Sequence, residues 1–396
     1  MTGALEPRGS GIVAASYVAL SAVVWFNNGI GPILPAIEDE IGGGAAAVYP
    51  LVPGAVMLLW SLSIVFRPKR STKEPNRVAA MIVGSLSMAA AVIIMGVARW
   101  AAISVIGVAL AAFASAYVVR ALTSLLKSAS GNDVERTLMR GNAYASLASV
   151  ASPLAVAGSI AVGLGWMPGI AAPVAAGAIA IVVLVRTEVN GEPSPTTAEV
   201  APSSTTTEVE PASVPAFRMW WREYSALTLG IVIEFCFVFF AATYLHDELG
   251  MSKAAAAGGA AAWGAGMAIG RFAISARSGS STVARSVMVI AVGFGLLWTT
   301  GSDVVAITGI GIAGLGAAPL YPSRLAELLY KFPSAPDEGA TRGLLGSGTA
   351  VLAAPALIAG LRAVSDVRTA FLVVPALLGA LLILTRSATR DTPASR

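Results

Sequence analysis

A single carboxylate stands deep inside one of the long apolar segments of this sequence. Glu234 lies ten residues beyond Tyr224, which is about 15 Å along a helix, and the segment begins at the aromatic and basic residues 220–222. If the segment crosses a bilayer, a carboxylate at this depth costs about 2.5 kcal/mol or more, so it needs a partner or a water-filled cavity. Glu234 could then carry a proton, bind a polar or cationic molecule, or form a structural hydrogen bond between helices while protonated.

Two adjacent amides interrupt the first apolar segment at Asn27 and Asn28. They precede a Gly-Ile-Gly-Pro sequence at 29–32 that loosens or bends a helix. Amides in apolar surroundings need hydrogen-bond partners. Asn27 and Asn28 therefore either line a polar cavity or join two packed helices.

Two aromatic residues stand beside features that suit a binding cavity. Phe235 follows the deep carboxylate, and Tyr321 precedes Pro322, whose missing N–H frees a backbone carbonyl. Most aromatic residues in such segments pack between helices or face lipid. We expect Phe235 and Tyr321, together with the two asparagines, to line the cavity that Glu234 needs.

Three arginines lie near the ends of apolar segments. Arg120 and Arg324 are each about twenty residues, or ~30 Å, from the other end of their segment, which places them at a membrane boundary where long side chains snorkel or pair. Glu327 follows Arg324 at the favourable i, i+3 spacing, and Arg271 could compete for it. We expect these four residues, Arg120, Arg271, Arg324 and Glu327, to form a gate at the cytoplasmic side.

The composition assigns the chain to a membrane. With 56% hydrophobic and 12% charged residues, the 396-residue chain is too apolar for a soluble protein, in which about 25% of residues are charged. Its mean hydropathy is +0.75. The apolar runs have the ~17–25 residues that a helix needs to cross a ~30 Å hydrocarbon core. The sequence predicts an all-α integral membrane protein with twelve transmembrane helices, at 12–36, 45–66, 78–98, 101–121, 141–163, 166–185, 224–245, 254–275, 286–300, 304–324, 343–361 and 369–385. Because several runs abut, eleven spans also fit, and the first run is too long for a removable signal peptide.

The basic residues orient the chain. Of the 26 Lys and Arg, only Arg99, Lys253, Arg362 and Arg368 fall in loops on one side, and apart from the three arginines at span ends the others fall on the side of the termini. The positive-inside rule then places both termini in the cytoplasm of a multi-pass protein of the cell membrane. Since the basic residues are scattered over short loops, the pI of about 9.3 does not indicate a nucleic-acid partner.

The chain divides into two halves of six spans. Residues 187–217 are rich in Thr, Ser, Pro and Glu and contain no Lys or Arg, which predicts a flexible cytoplasmic linker between an N-terminal half, 1–186, and a C-terminal half, 218–396. Residues 102–127 align with 306–331 without a gap, and ten of the 26 positions are identical, including Tyr117 with Tyr321 and Arg120 with Arg324. Two further segments match in the same order, Asp39–Gly42 with Asp247–Gly250 and Arg140-Gly141 with Arg342-Gly343. Ala- and Gly-rich helices can match by chance, but three ordered matches favour parallel repeats.

This organisation resembles the major facilitator superfamily of transporters. Typical stretches are Asn28-Gly29-Ile30-Gly31-Pro32-Ile33-Leu34-Pro35, Gly314-Leu315-Gly316 with Tyr321-Pro322, and Pro355 with Gly360. The loop after the second span departs from the family pattern, because 66–70 keep its basic residues without the usual Gly and Asp. The resemblance implies a central cavity lined by spans one, four, seven and ten, and leaves the subfamily unassigned.

We therefore expect a secondary transporter that moves a small organic molecule by alternating access, with proton coupling. Uptake of a nutrient such as a sugar and efflux of a drug or metabolite both fit, and a non-transporting membrane sensor is the alternative of another class. The single deep acid and few deep positive charges argue against a strongly anionic substrate such as a phosphate ester. We expect neither an enzyme nor a cofactor: Cys236 and His246 are the only residues of their types, and no Gly-Lys-Ser/Thr sequence follows the glycines to bind ATP. We expect a monomer.

Overall fold

The chain is almost entirely helical in the part that its computed structural model describes, residues 10–42, 47–66, 77–97, 101–130, 134–191, 220–273, 280–332 and 336–390. Within these ranges no residue forms a strand. A helix satisfies its own backbone hydrogen bonds, which is what a segment surrounded by lipid requires.

Among the described residues, six helices precede residue 192. They are α1 (Ser10–Ile41), α2 (Leu51–Val65), α3 (Arg77–Val97), α4 (Ala101–Ser130), α5 (Val134–Ala161) and α6 (Met167–Gly191). We call them the N-terminal half. Residues 187–191 are the end of α6, and the remainder of the predicted linker, 192–217, lies outside the described residues.

Eight helices follow residue 219 in the part of the chain that the structure describes, and we call them the C-terminal half. They are α7 (Trp221–Asp247), α8 (Lys253–Ala273), α9 (Ser280–Thr299), α10 (Asp303–Ala317), α11 (Leu320–Tyr330), α12 (Pro336–Arg362), α13 (Val367–Ala370) and α14 (Val373–Arg390). The pair α10 and α11 forms the tenth span, broken at Ala318-Pro319, and α13 with α14 forms the twelfth.

Twelve helical spans are therefore present in the described part of the chain, and the alternative of eleven is wrong. By length and apolar composition, ten segments are able to cross a membrane, and α2 is a shorter apolar helix. The remaining span, α8, is rich in Ala and Gly and packs against α5 and α10 inside the protein. Several helices continue beyond their predicted apolar runs, most clearly α4, which ends at Ser130 rather than near 121.

With twelve spans, α1 begins and α14 ends at the same face of the bundle. We call this the terminal face and the other one the opposite face. The most extensive contacts between the described parts of the two halves are those of α1 with α7, α2 with α12, and α5 with α8. Glycine permits the closest approaches, since a Cβ at Gly54 of α2 would lie 2.1 Å from the backbone nitrogen of Leu352 on α12. The interface between the halves is therefore packed backbone against backbone.

Candidate functional site

A cavity lies between the two halves, with a volume of about 130 Å³. Its walls come from α1, α2, α4 and α5 of the N-terminal half and from α7, α8, α11 and α12 of the C-terminal half. The lining is largely apolar, and its polar residues are Asn27, Asn28, Arg120, Asn142, Ser149, Glu234, Arg271, Tyr321 and Ser347. The five residues selected from sequence as cavity residues, Glu234, Asn27, Asn28, Tyr321 and Phe235, all lie on this surface.

Glu234 stands in the middle of α7, the most deeply enclosed helix of the bundle. Its neighbours Ile233 and Cys236 are fully buried, whereas Glu234 itself is partly exposed because it borders the cavity. The guanidinium of Arg271 on α8 interacts electrostatically with the carboxylate, and so does the Tyr321 hydroxyl on α11. The carboxylate thus has both features that its depth requires, a cavity and an oppositely charged neighbour.

Arg271 reaches across the interface between the halves. Its Nη1 donates to the Ser146 hydroxyl at 2.7 Å and to the Asn142 backbone carbonyl at 3.3 Å, both on α5. The residue is 7% exposed, so its charge is held among the helices, two residues before the end of α8. No described acidic residue other than Glu234 lines this cavity, and the expected competition of Arg271 for Glu327 is not observed.

The break between α10 and α11 supplies Arg271 with a further acceptor. The Nε of Arg271 donates to the Ala318 backbone carbonyl at 3.3 Å. In an unbroken helix this carbonyl would accept from the N–H of residue 322, and Pro322 has none. The proline therefore frees a carbonyl, as expected from the sequence, and a side chain of α8 uses it.

The two asparagines leave their side-chain oxygens available. Asn27 Nδ2 donates to the Val23 carbonyl at 3.1 Å, and Asn28 Nδ2 donates to the Val24 carbonyl at 3.0 Å. Both bonds lie within α1, and each uses one of the two N–H groups of its amide. Among the described residues none donates to either amide oxygen, so both asparagines offer acceptors at the cavity wall.

Tyr321 and Phe235 complete the part of the wall contributed by the C-terminal half. The Tyr321 hydroxyl lies near Ser347 on α12, whose own hydroxyl donates to the Gly343 carbonyl at 3.0 Å. The Phe235 ring packs against the Phe239 ring, with centroids 5.1 Å apart. The polar wall near Tyr321 and the apolar wall near Phe235 together suit an amphipathic ligand.

The two repeat-related arginines have different surroundings. Arg324 Nη1 pairs with Glu327 Oε2 at 2.6 Å, which confirms the spacing argument for this ion pair. Arg120 instead lines the cavity, and its Nε is buried without a hydrogen-bond partner. The helix α4 continues for ten residues beyond Arg120, which is partly exposed and lies two residues before the end of the apolar span Ala102–Leu122. A gating role for these residues and for Arg271 stays a prediction.

Helices α1 and α7 close the cavity toward the opposite face. A Cβ on Gly31 would lie 2.0 Å from the Val238 carbonyl oxygen, so the two backbones touch one turn beyond Asn27 and Glu234. Further out, Lys253 on α8 pairs with Asp39 on α1. A second cavity of about 320 Å³, bordered by Glu38 and Arg362, lies on the other side of this closure.

Three polar cavity residues were not selected from the sequence: Asn142 and Ser149 on α5, and Ser347 on α12. The sequence contains a pattern that indicates part of this set: serine recurs every three residues at Ser146, Ser149 and Ser152, which places these side chains on one face of α5. Neutral hydroxyls are common in Ala-rich membrane helices, which is why this pattern did not stand out.

The fold and the cavity define the class of protein. The chain is a twelve-span, all-helical membrane protein with the fold of major facilitator superfamily transporters. A bacterial homologue of the human lysosomal transporter Spinster, in an inward-facing and unoccupied conformation, matches over 99% of this chain and 100% of its own, with a TM-score of 0.69 and 14% identity. The human organic anion transporter MFSD10 matches over 96% and 100%, with a TM-score of 0.68 and 14% identity. The transporter FucP in an outward conformation matches over 97% and 99%, with a TM-score of 0.63 and 14% identity. No protein-family model and no curated protein sequence matches the chain, and at these identities the likeness shows the fold alone.

Proposed function

We propose that the chain is a secondary transporter that moves a small organic molecule across the membrane by alternating access. The observation that carries this proposal is the charged cavity between the halves, which is closed toward the opposite face by the contact of Gly31 with Val238. The second cavity beyond this contact supports it, because separation of α1 from α7 would join the two cavities. The molecule then leaves on one side after it enters on the other.

We further propose that Glu234 carries a proton in each cycle. The charged and titratable groups that face it are Arg271 from α8, Tyr321 from α11 and, across the cavity, Arg120 from α4. When the halves move, the distance from Glu234 to Arg271 changes, because Arg271 is also held by Ser146 of the other half. The carboxylate would lose its proton when Arg271 is near and gain one when it is far.

The proposal includes the location, topology and oligomeric state of the protein. The chain would act in the cell membrane with both termini in the cytoplasm, as a monomer and without a cofactor. The similar transporters include one for nucleosides, NupG, and one for organic anions, MFSD10, so their names do not select one substrate. Uptake and efflux both remain compatible with a cavity that opens alternately to the two faces.

Alternating access can be tested without a known substrate. Val162 and Val364 are 70% and 84% exposed at the opposite face, one in each half, and Phe66 and Tyr330 are 78% and 59% exposed at the terminal face. Spin labels on Cys at each pair, in a Cys236→Ala background, report the distance across each face in liposomes. We expect two states in which one distance lengthens as the other shortens. A single unchanged distance for both pairs would reject alternating access.

Proton coupling can be tested in proteoliposomes that contain a pH-sensitive dye. Neutral sugars, nucleosides, organic cations and organic acids are added in turn, and protein-free liposomes correct for passive diffusion. We expect at least one solute class to change the internal pH, and Glu234→Gln to abolish this change. Glu223→Gln is the matched control, because Glu223 lies on the same helix and pairs with Lys331 at the surface, 3.2 Å apart. Full solute-driven proton movement in Glu234→Gln would exclude the proton role, and solute binding without flux would favour a sensor.

A further inference from the structure

The cavity wall carries more basic than acidic residues. Arg120 and Arg271 are basic, and Glu234 is the only acidic residue among the described residues that line the cavity. The wall therefore carries a net charge of one positive unit when Glu234 is ionised and of two when it is protonated. From the sequence, Arg120 and Arg271 were placed at the edge of the membrane, and their location in the cavity removes the argument against an anionic ligand.

The two copies of the sequence repeat show which arginine is left uncompensated. In the second copy, Arg324 Nη1 pairs with Glu327 Oε2 at 2.6 Å, although Nε and Nη2 of Arg324 are buried without an acceptor. In the first copy, Thr123 stands at the position that corresponds to Glu327, so Arg120 has no acid at this spacing. No ion pair joins Arg120 to any acidic residue in the described part of the chain, and its Nε is buried without an acceptor. A buried N–H without an acceptor costs free energy. Arg120 differs from Arg324 in two respects: it has no acidic partner among the described residues, and it lines the cavity, where a ligand can supply the acceptor.

The second arginine of the cavity wall, Arg271, already donates hydrogen bonds to protein acceptors. Arg271 donates from Nε and Nη1 to Ala318, Asn142 and Ser146, and its charge is offset by Glu234. Its positive charge still adds to the potential in the cavity when Glu234 is protonated. Arg120 is therefore the contact residue for an anion, and Arg271 with Glu234 sets how strongly an anion is attracted.

We propose that the substrate is a small organic anion whose carboxylate binds Arg120 and whose apolar part lies against Val23, Ile231 and Phe235. A guanidinium and a carboxylate match in geometry as well as in charge. The cavity of about 130 Å³ is close to the ~150 Å³ of an apolar cavity that holds benzene, so the body of the anion is a short aliphatic chain or one aromatic ring.

This inference rests on the proposed transport function and adds a direction of coupling to it. Protonation of Glu234 raises the net charge of the wall from one to two positive units, so the anion binds best to the protonated cavity. The anion and the proton then travel together in the same direction. Anion affinity falls as the pH rises through the titration of Glu234, and Glu234→Gln keeps the high affinity at every pH.

The test is ligand-dependent thermal stabilisation of the purified full-length protein, with pyruvate, benzoate and hexanoate as probes. The corresponding amides are neutral controls of nearly the same shape, and benzylammonium is the cationic control. We expect at least one carboxylate to raise the unfolding temperature, more at mildly acidic than at mildly alkaline pH, and its amide to have no effect. For Arg120→Gln we expect the affinity for the carboxylate to fall by at least about tenfold, since a hydrogen bond to a charged group is lost.

Two further variants separate anion recognition from a general loss of structure. Arg120→Lys keeps the charge and should retain part of the affinity, and Arg285→Gln changes an exposed arginine of α9 that does not line the cavity and should retain all of it. Equal stabilisation by amide and carboxylate, stabilisation by benzylammonium alone, or no effect of any of the three carboxylates would overturn the proposal. If the spin-label distances still show two anticorrelated states in that case, only the anion inference fails and the transporter proposal stands.

Discussion

The guanidinium of Arg271 on α8 donates a hydrogen bond to the backbone carbonyl of Ala318, in the break between α10 and α11. That carbonyl is available because Pro322, four residues later, has no N–H. A proline at this place therefore supplies an acceptor for the arginine that also interacts with Glu234.

A backbone carbonyl freed by a proline also accepts from a side chain in the N-terminal half, away from the cavity. The indole N–H of Trp25 on α1 donates to the Gly169 carbonyl of α6 at 3.0 Å, and Pro173 is the residue that would otherwise donate to it. In both places a proline allows a side chain of one helix to bind the backbone of another.

Replacement of Pro322 tests whether this acceptor serves transport. In Pro322→Ala the restored N–H competes for the Ala318 carbonyl, so Arg271 loses an acceptor while the helix gains a backbone hydrogen bond. We expect solute-driven pH change in proteoliposomes to fall about tenfold, with thermal stability unchanged or higher. Pro173→Ala is the matched control and should leave the rate within about twofold. Equal loss of rate in both variants would show that straighter helices, rather than Arg271, are responsible.

We expect the contributions of Arg271 and Glu234 to the free energy of unfolding to be coupled. Arg271→Ala leaves the partly buried carboxylate of Glu234 without its counter-charge, which should lower the free energy of unfolding by about 1–3 kcal/mol. The double variant with Glu234→Ala should lose less than the sum of the two single variants, measured by unfolding in detergent. The surface pair of Lys331 and Glu223, treated in the same way, should show coupling below about 1 kcal/mol. Additive effects of Arg271→Ala and Glu234→Ala would contradict the arrangement described here.

Opening of the opposite face should depend on the ion pair between the halves. Asp39→Asn removes the contact of α1 with Lys253 on α8, and an exposed pair of this kind is worth up to about 1 kcal/mol, or about a fivefold change in the ratio of two states. We expect the distance between labels at Val162 and Val364 to shift toward its longer value.

A second ion pair at the same face provides the control. Arg362 Nη2 and Asp247 Oδ2 are 2.9 Å apart, and both residues belong to the C-terminal half. Asp247→Asn should therefore leave the label distance across the halves unchanged. A similar shift in both variants would mean that surface charge, rather than the link between the halves, controls opening.

The close contact of α1 with α7 makes a prediction about packing. In Gly31→Ala the added methyl group would overlap the Val238 carbonyl oxygen, so the helices must separate. We expect a loss of about 1–3 kcal/mol in unfolding free energy, together with a longer distance between the labels at the opposite face. Gly158→Ala is the control, because a Cβ there has no atom within 4 Å. Equal stability of the two variants would argue against closure by this contact.

The sequence by itself determined the features that depend on composition and on spacing along one helix. Apolar runs of membrane-spanning length predicted twelve helices, because a backbone in lipid has to satisfy its own hydrogen bonds. The place of Glu234 in the middle of α7 followed from its spacing from the start of that apolar segment. The pairing of Arg324 with Glu327 followed from the i, i+3 spacing, which the helix geometry fixes without any other part of the chain.

Only the tertiary structure decided which charges meet. Arg120 and Arg324 occupy matching positions in the repeat, yet one borders the cavity and the other pairs within its own helix. Their surroundings depend on how far each helix continues, how it is rotated and which helices pack beside it. Arg271 is placed by partners on two other helices, about 50 and 130 residues away in the sequence. Contacts between distant segments arise from packing, and no local spacing in the sequence determines them.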